Sequence, residues 1–191
     1  MKRLYIIAGP NGAGKTTASY TILPDIFDCN EFVNADEIAR GLSPFNPESV
    51  SIKAGRLMLQ RIQELLETNE SFAFETTLST KSYVGFVKQA QQQKYEVVLL
   101  FLALDSHELA IRRVKTRVDE GGHDIPEDVI KRRFDKGFLN LFQLYLPIVD
   151  QWILVDNSGE NFDFVARGSY DEIIVQNEKL WITLKDKYYG N

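Results

Sequence analysis

The sequence predicts an α/β fold built on a largely parallel sheet, and three features carry that prediction. Short apolar runs alternate with stretches of helical periodicity along the chain. The run Val97-Val98-Leu99-Leu100-Phe101-Leu102-Ala103-Leu104 is continuous rather than alternating, as expected of a strand buried on both faces. A glycine-rich segment follows the first apolar run and leads into a helix expected to start near Gly14, the strand–loop–helix order of a parallel βα unit.

Taken in order, Leu4–Ala8 is a short buried strand and Phe32-Val33 a weak second one. Met58, Ile62, Leu65 and Leu66 recur at helical spacing inside a helix predicted over Pro47–Thr68. Ser71–Phe74 reads as a strand, and Ser82–Gln93 as a helix with Val84 and Val87 inward. The strand Glu96–Leu104 precedes a helix from about Ser106 with Ala110, Val114 and Val118 on one stripe. Two helical segments follow, near Glu127–Lys136 and Leu139–Val149. Trp152–Val155 is a strand, Phe162–Ile174 a hairpin or strand pair, and Gln176–Tyr188 the last helix. No repeat, low-complexity tract or linker interrupts the pattern, so residues 1–191 read as one domain.

A composition of 44% hydrophobic and 26% charged residues is that of a folded domain rather than a disordered chain. At this length about 70% of the unfolded surface becomes buried, enough to need no covalent staples. The single cysteine, Cys29, excludes an intrachain disulfide and a cysteine-based zinc site. The opening apolar run ends after about five residues, short of the roughly seven a signal peptide needs. No stretch approaches the ~18 apolar residues of a membrane span, so a soluble cytoplasmic protein is expected. The 22 basic against 27 acidic residues give a net charge of −5, which argues against a polyanion partner such as nucleic acid. Yet of ten arginines five lie between Arg112 and Arg133.

Gly9-Pro10-Asn11-Gly12-Ala13-Gly14-Lys15-Thr16 matches G-x-x-x-x-G-K-[ST]. Backbone N–H groups wrapped around a phosphate must come close to it, and glycine permits that approach. The helix N-terminus adds a favourable dipole. Lys15 is expected on the β- and γ-phosphates, and the Thr16 hydroxyl in a Mg²⁺ shell, with the nucleotide held from Gly9 to Thr17. No N-K-x-D motif of a switch GTPase is present, and Leu100–Leu104 runs into Asp105-Ser106 without the Asp-Glu of motor-type ATPases. The chain reads instead as a small-molecule kinase whose arginine lid excludes water from the transferring phosphoryl group.

Three segments supply the rest of such a site. Asp36 in Val33-Asn34-Ala35-Asp36-Glu37-Ile38-Ala39-Arg40 stands beyond the second strand, where a carboxylate can take the acceptor hydroxyl's proton. The same stretch also fits a helix start with an Asp36–Arg40 i,i+4 pair. Glu75, with Thr76 and Thr77 at the end of another strand, suits either a metal-bound water or a substrate hydroxyl, or else caps the next helix. Arg113 and Arg117 lie one turn apart on one helix face, Gly121-Gly122 offers a hinge, and Arg132 and Arg133 follow Pro126 on the next helix. Arginine suits phosphate through its planar, permanently charged fork. Nearby Asp119, Glu120, Asp124, Glu127 and Asp128 equally allow two solvated helix faces. His123 has no second histidine at ligand spacing and is expected to fix the loop rather than bind metal.

The segments Gly9–Thr16, Asn34–Ala39, Ala54-Gly55-Arg56, Phe72–Leu78, Gly121–Pro126 and Asp156-Asn157-Ser158 together resemble the zeta-toxin-like kinase family, in the family's order. The resemblance implies a three-layer, adenylate-kinase-like P-loop fold with a five-stranded parallel core in the order 2-3-1-4-5 and an arginine-bearing lid over about residues 117–133. It implies ATP as donor and Mg²⁺ as cofactor. It also implies phosphorylation of the 3′-hydroxyl of UDP-N-acetylglucosamine, and an antitoxin protein as partner. Lys15 and Thr16 match the Walker residues, Asp36 the base, and Glu75 the acidic residue at the acceptor site. Arg113 and Arg117 match the adenine-stacking and phosphate-contacting arginines, and Arg132 or Arg133 the returning lid arginine. Asn157 falls on the nucleotide side, and Arg40 and Thr77 on the acceptor side. Chloramphenicol phosphotransferase shares the architecture and acts on a different alcohol, so another acceptor, such as an antibiotic or a nucleoside, stays open. A regulatory ATPase module and a nucleic-acid end kinase are the alternatives from other classes.

Overall fold

In the computed structural model, which describes residues 1–122 and 124–189, a seven-stranded sheet runs through the molecule. Its strands are β1 (Arg3–Ala8), β2 (Phe32–Val33), β3 (Phe72–Thr76), β4 (Glu96–Ala103), β5 (Gln151–Asp156), β6 (Asp163–Ser169) and β7 (Ile173–Val175). The order is β2-β3-β1-β4-β5-β6-β7. The first five strands are mutually parallel, in the order the resemblance implies. Beyond them β6 and β7 extend the sheet antiparallel, the hairpin anticipated over 162–174.

Parallel strands need crossovers, and the helices provide them. They are α1 (Lys15–Asp25), α2 (Ala35–Leu42), α3 (Ser51–Thr68), α4 (Val84–Gln92), α5 (His107–Asp119), α6 (Glu127–Asn140) and α7 (Glu178–Tyr188). Every residue of β4 after Glu96 is buried, so the sheet is covered on both faces. The helix expected from Pro47 begins as a 3₁₀ turn over Pro47–Val50 before α3. The two segments expected at Glu127–Lys136 and Leu139–Val149 are one: α6 passes directly into a π turn over Leu141–Tyr145. Among the described residues no helix is long and apolar enough to cross a membrane.

The register places the site. Ala8, the last residue of β1, pairs with Thr76 of β3, and Ile7 with Glu75. Val33 of β2 pairs with Phe74. The loop after β1, Asn34 after β2 and Glu75 at the end of β3 therefore share the carboxyl edge of the sheet, where ligands of open α/β sheets bind.

Candidate functional site

The loop Gly9–Gly14 folds as it does because its glycines take conformations closed to other residues. Gly9 has φ 144°, and a Cβ there would lie 2.2 Å from the Leu102 carbonyl oxygen. Gly14 has φ 77° and starts α1 with no side-chain cap. The first-turn N–H groups of α1 are thus left for an anion. Lys15 is buried, its Nζ donating to the Pro10 carbonyl at 3.0 Å and lying 3.6 Å from Glu75 Oε1. Burial pushes the Lys15 ammonium below its usual lysine value, while Glu75 and Asp36 hold it up.

Around this loop lies a cavity of about 670 Å³, ample for a nucleotide. Its walls include Asn11, Gly12, Gly14, Lys15, Thr16, Thr17, Asp36, Glu75, Thr77, Arg113, Arg117, Arg132 and Arg133, residues the sequence had pointed to. Gly9, Pro10 and Ala13 are buried parts of the loop that do not reach the cavity wall. Asn157 does not line the cavity either. It braces the loop from behind, its Nδ2 donating to the Ala13 carbonyl at 2.9 Å.

Arg40 departs from expectation. It lies outside the main cavity and bonds Glu37 at 3.3 Å, not Asp36. The helix turn from Asp36 to Arg40 points Arg40 toward a second hollow of about 200 Å³, which it shares with Asp36, Phe45, Glu48 and Asp124. The alternative reading of this stretch as a helix start holds locally, with Asn34 rather than Asp36 as the cap. The two readings of Asp36 are compatible: it occupies the first turn of α2 and also lines the main cavity.

Glu75 is fully engaged. Its Oε2 accepts from the Thr16 hydroxyl at 2.8 Å and from Asn34 Nδ2 at 2.9 Å. The Asp36 carboxylate, by contrast, accepts no hydrogen bond from the described residues, and only its backbone N–H is bonded, to Asn34 Oδ1 at 2.8 Å. A hydroxyl and a carboxylate oxygen converging beside a phosphate loop are hard donors, a set that fits Mg²⁺.

The arginines differ from one another. Arg113 is held by the carbonyls of Asn157 at 2.7 Å and Ser158 at 3.2 Å. Arg117 has its Nε and Nη2 buried without a hydrogen-bond partner among the described residues. Arg133 is partly buried; desolvation works against its charge and Asp36 supports it, whereas Arg132 is exposed. His123 lies outside the described residues. Sequence reasoning missed Asn34, Ser79, Tyr83 and Lys136, all on the cavity wall. Lys136 had a legible signal, standing one helical turn beyond Arg132 and Arg133.

Helix α6 shapes the cavity wall beside the loop after β3. A Cβ on Gly137 would lie 2.6 Å from the Thr77 carbonyl, so the helix packs flush on that loop. Asn140 Nδ2 donates to the Leu78 carbonyl at 2.7 Å and Tyr145 Oη to the Thr80 carbonyl at 3.1 Å.

Comparison with solved structures places this arrangement. The AvrRxo1-ORF1:AvrRxo1-ORF2 complex with sulphate ions superposes with a TM-score of 0.78 at 18% identity, over 96% of this chain and 63% of that one. This chain thus spans less than two thirds of that protein's length. The PezAT toxin–antitoxin structure from Streptococcus pneumoniae gives 0.67 at 18% identity, over 100% of this chain and 80% of that one. A gluconokinase from Sinorhizobium meliloti gives 0.53 at 14% identity, covering 83% of each chain. At these identities the likeness is one of fold, that of the P-loop kinases. An uncharacterized protein of Haemophilus influenzae is 32% identical over 126 residues, 66% of this chain and 88% of that protein. The family model described as zeta toxin matches residues 1–164, and the chain belongs to the zeta toxin family.

Proposed function

We propose that residues 1–191 form one P-loop kinase domain that transfers the γ-phosphoryl group of ATP to an acceptor hydroxyl. The observation that carries this reading is that the Asp36 carboxylate and Arg117 Nε and Nη2, without hydrogen-bond partners among the described residues, share one cavity with the Walker loop. Lys15 and the open N-terminus of α1 bind the phosphate chain, and Arg113, anchored on the loop after β5, flanks the adenine ring of the nucleotide. Arg117 and Arg133 neutralise charge developing on the γ-phosphoryl as the segment 117–133 closes as a lid. Thr16 and Glu75 would hold Mg²⁺, which supplies charge neutralisation across the β- and γ-phosphates. Asp36 orients the acceptor hydroxyl and takes its proton. A carboxylate that accepts no hydrogen bond from the described residues favours it over Glu75, which already accepts from Thr16 and Asn34.

The acceptor sits against Thr77, Ser79 and Lys136, a hydroxyl-rich and cationic wall that suits a UDP-N-acetyl-amino sugar. One fold neighbour was solved with ATP, and another belongs to a chromosomal toxin–antitoxin system; these support ATP as donor and an antitoxin protein as partner.

The test is phosphorus NMR with ATP, Mg²⁺ and a panel of UDP-sugars, nucleosides and small alcohols, with mass spectrometry of each product. A phosphorylated acceptor is expected. Release of inorganic phosphate alone across the panel would point to a regulatory ATPase instead. Lys15→Ala and Asp36→Ala are each expected to lose transfer by about 10²-fold or more, with Asp36→Ala still binding ATP. Near-normal turnover by Asp36→Ala would remove the base assignment.

A further inference from the structure

Asn34 is 6% exposed and stands at the carboxyl end of β2, immediately before α2. Its Oδ1 accepts from the N–H groups of Asp36 at 2.8 Å and Glu37 at 3.4 Å, the bonds of a helix N-cap. Those N–H groups can only donate, so the atom facing them is the oxygen and the amide nitrogen must face the other way. There Nδ2 donates to Glu75 Oε2 at 2.9 Å and lies 3.4 Å from Thr16 Oγ1.

A cap alone does not require asparagine, because serine, threonine and aspartate cap comparably. Serine and threonine are too short to carry an amide across to Glu75, and aspartate would set a second carboxylate against it. Only an amide offers an acceptor at one corner and donors at the other on so short a stem.

We infer that Asn34 is a positioning residue that ties the helix bearing Asp36 to the Thr16–Glu75 pair through the two ends of one amide. The inference rests on the reading of that pair as the metal side of a nucleotide site. Its consequence is that the acceptor-side carboxylate and the nucleotide-side oxygens keep a fixed spacing before any ligand arrives. Loss of the amide frees Glu75 to turn, even where the cap is kept.

The experiment separates the two ends. Asn34→Ser keeps a capping oxygen and loses the reach to Glu75, whereas Asn34→Ala loses both. Mn²⁺ binding in the presence of a non-hydrolysable ATP analogue, followed by electron paramagnetic resonance, reads the tether, and thermal unfolding reads the cap. The expected result is that Asn34→Ser melts above Asn34→Ala, while both lose Mn²⁺ affinity by about tenfold or more, the usual cost of removing a partner of a metal ligand. In a Glu75→Gln background, Asn34→Ser should cost less than about twofold more, because the two act as a unit. Asn34→Thr serves in place of Asn34→Ser if the latter does not fold. Parental Mn²⁺ affinity in the serine or threonine variant would overturn the tether and leave Asn34 a cap. Failure of the unaltered protein to bind Mn²⁺ with the analogue would overturn the nucleotide–metal reading, and the tether with it.

Discussion

Arg117 holds two guanidinium nitrogens, Nε and Nη2, away from water with no hydrogen-bond partner among the described residues. Buried donors without partners cost stability, more so when charged. Arg117 lines the cavity, where an anion would supply acceptors for them. Arg117→Met, which keeps the apolar stem, should therefore raise the stability of the ligand-free protein by about 1 kcal/mol in urea unfolding while phosphoryl transfer falls. A variant less stable than the parent would show that the guanidinium is satisfied after all. Arg113 is the contrast: the carbonyls of Asn157 and Ser158 already hold it. The i,i+4 spacing of the two arginines was legible, because a helix face is a local property. Their different partners were not, because residues 157 and 158 come from the end of another strand.

At the scale of elements, α6 and its π turn form one arm that reaches from Arg132 to Tyr145. The sequence reads there as two helices, yet Phe134, Phe138, Phe142 and Tyr145 keep helical spacing and are all buried, so one apolar stripe runs from α6 through the π turn. That arm anchors the loop after β3 through Gly137, Asn140 and Tyr145. Burial pushes the Tyr145 phenol well above its usual value, so the folded state favours its neutral form. Its contribution to stability is then full below the ordinary tyrosine value of about 10 and is lost as the pH rises above it. Unfolding free energy is expected to decline in that alkaline range, and Tyr145→Phe should flatten part of the decline. An unchanged slope in the phenylalanine variant would contradict a buried neutral phenol.

Across the whole molecule, six cations and three carboxylates meet at one cavity of a protein whose net charge is −5. A nucleotide that binds only the folded state stabilises it by mass action, by about 2.7 kcal/mol at a hundredfold excess over its dissociation constant. For a domain of this size that is a rise in melting temperature of about 5–10 °C. ATP with Mg²⁺ should produce such a shift in the parent and none in Lys15→Ala. A shift that survives in Lys15→Ala would place the nucleotide elsewhere.

The sequence by itself determined the features that depend on neighbours along the chain. The strand–loop–helix at Gly9–Thr16 needs glycine where φ is positive, the β4 run is apolar because both its faces are covered, and Asp36 lies just past β2. Tertiary structure decided everything that depends on residues brought together from afar. It joined Asn34 and Thr16 to Glu75, turned Arg40 out of the main cavity, moved Asn157 behind the loop, and half-buried Arg133 while leaving Arg132 exposed. The physical reason is that backbone conformation and burial pattern are written in local sequence, whereas a hydrogen-bond partner is chosen by the register of strands and the docking of helices.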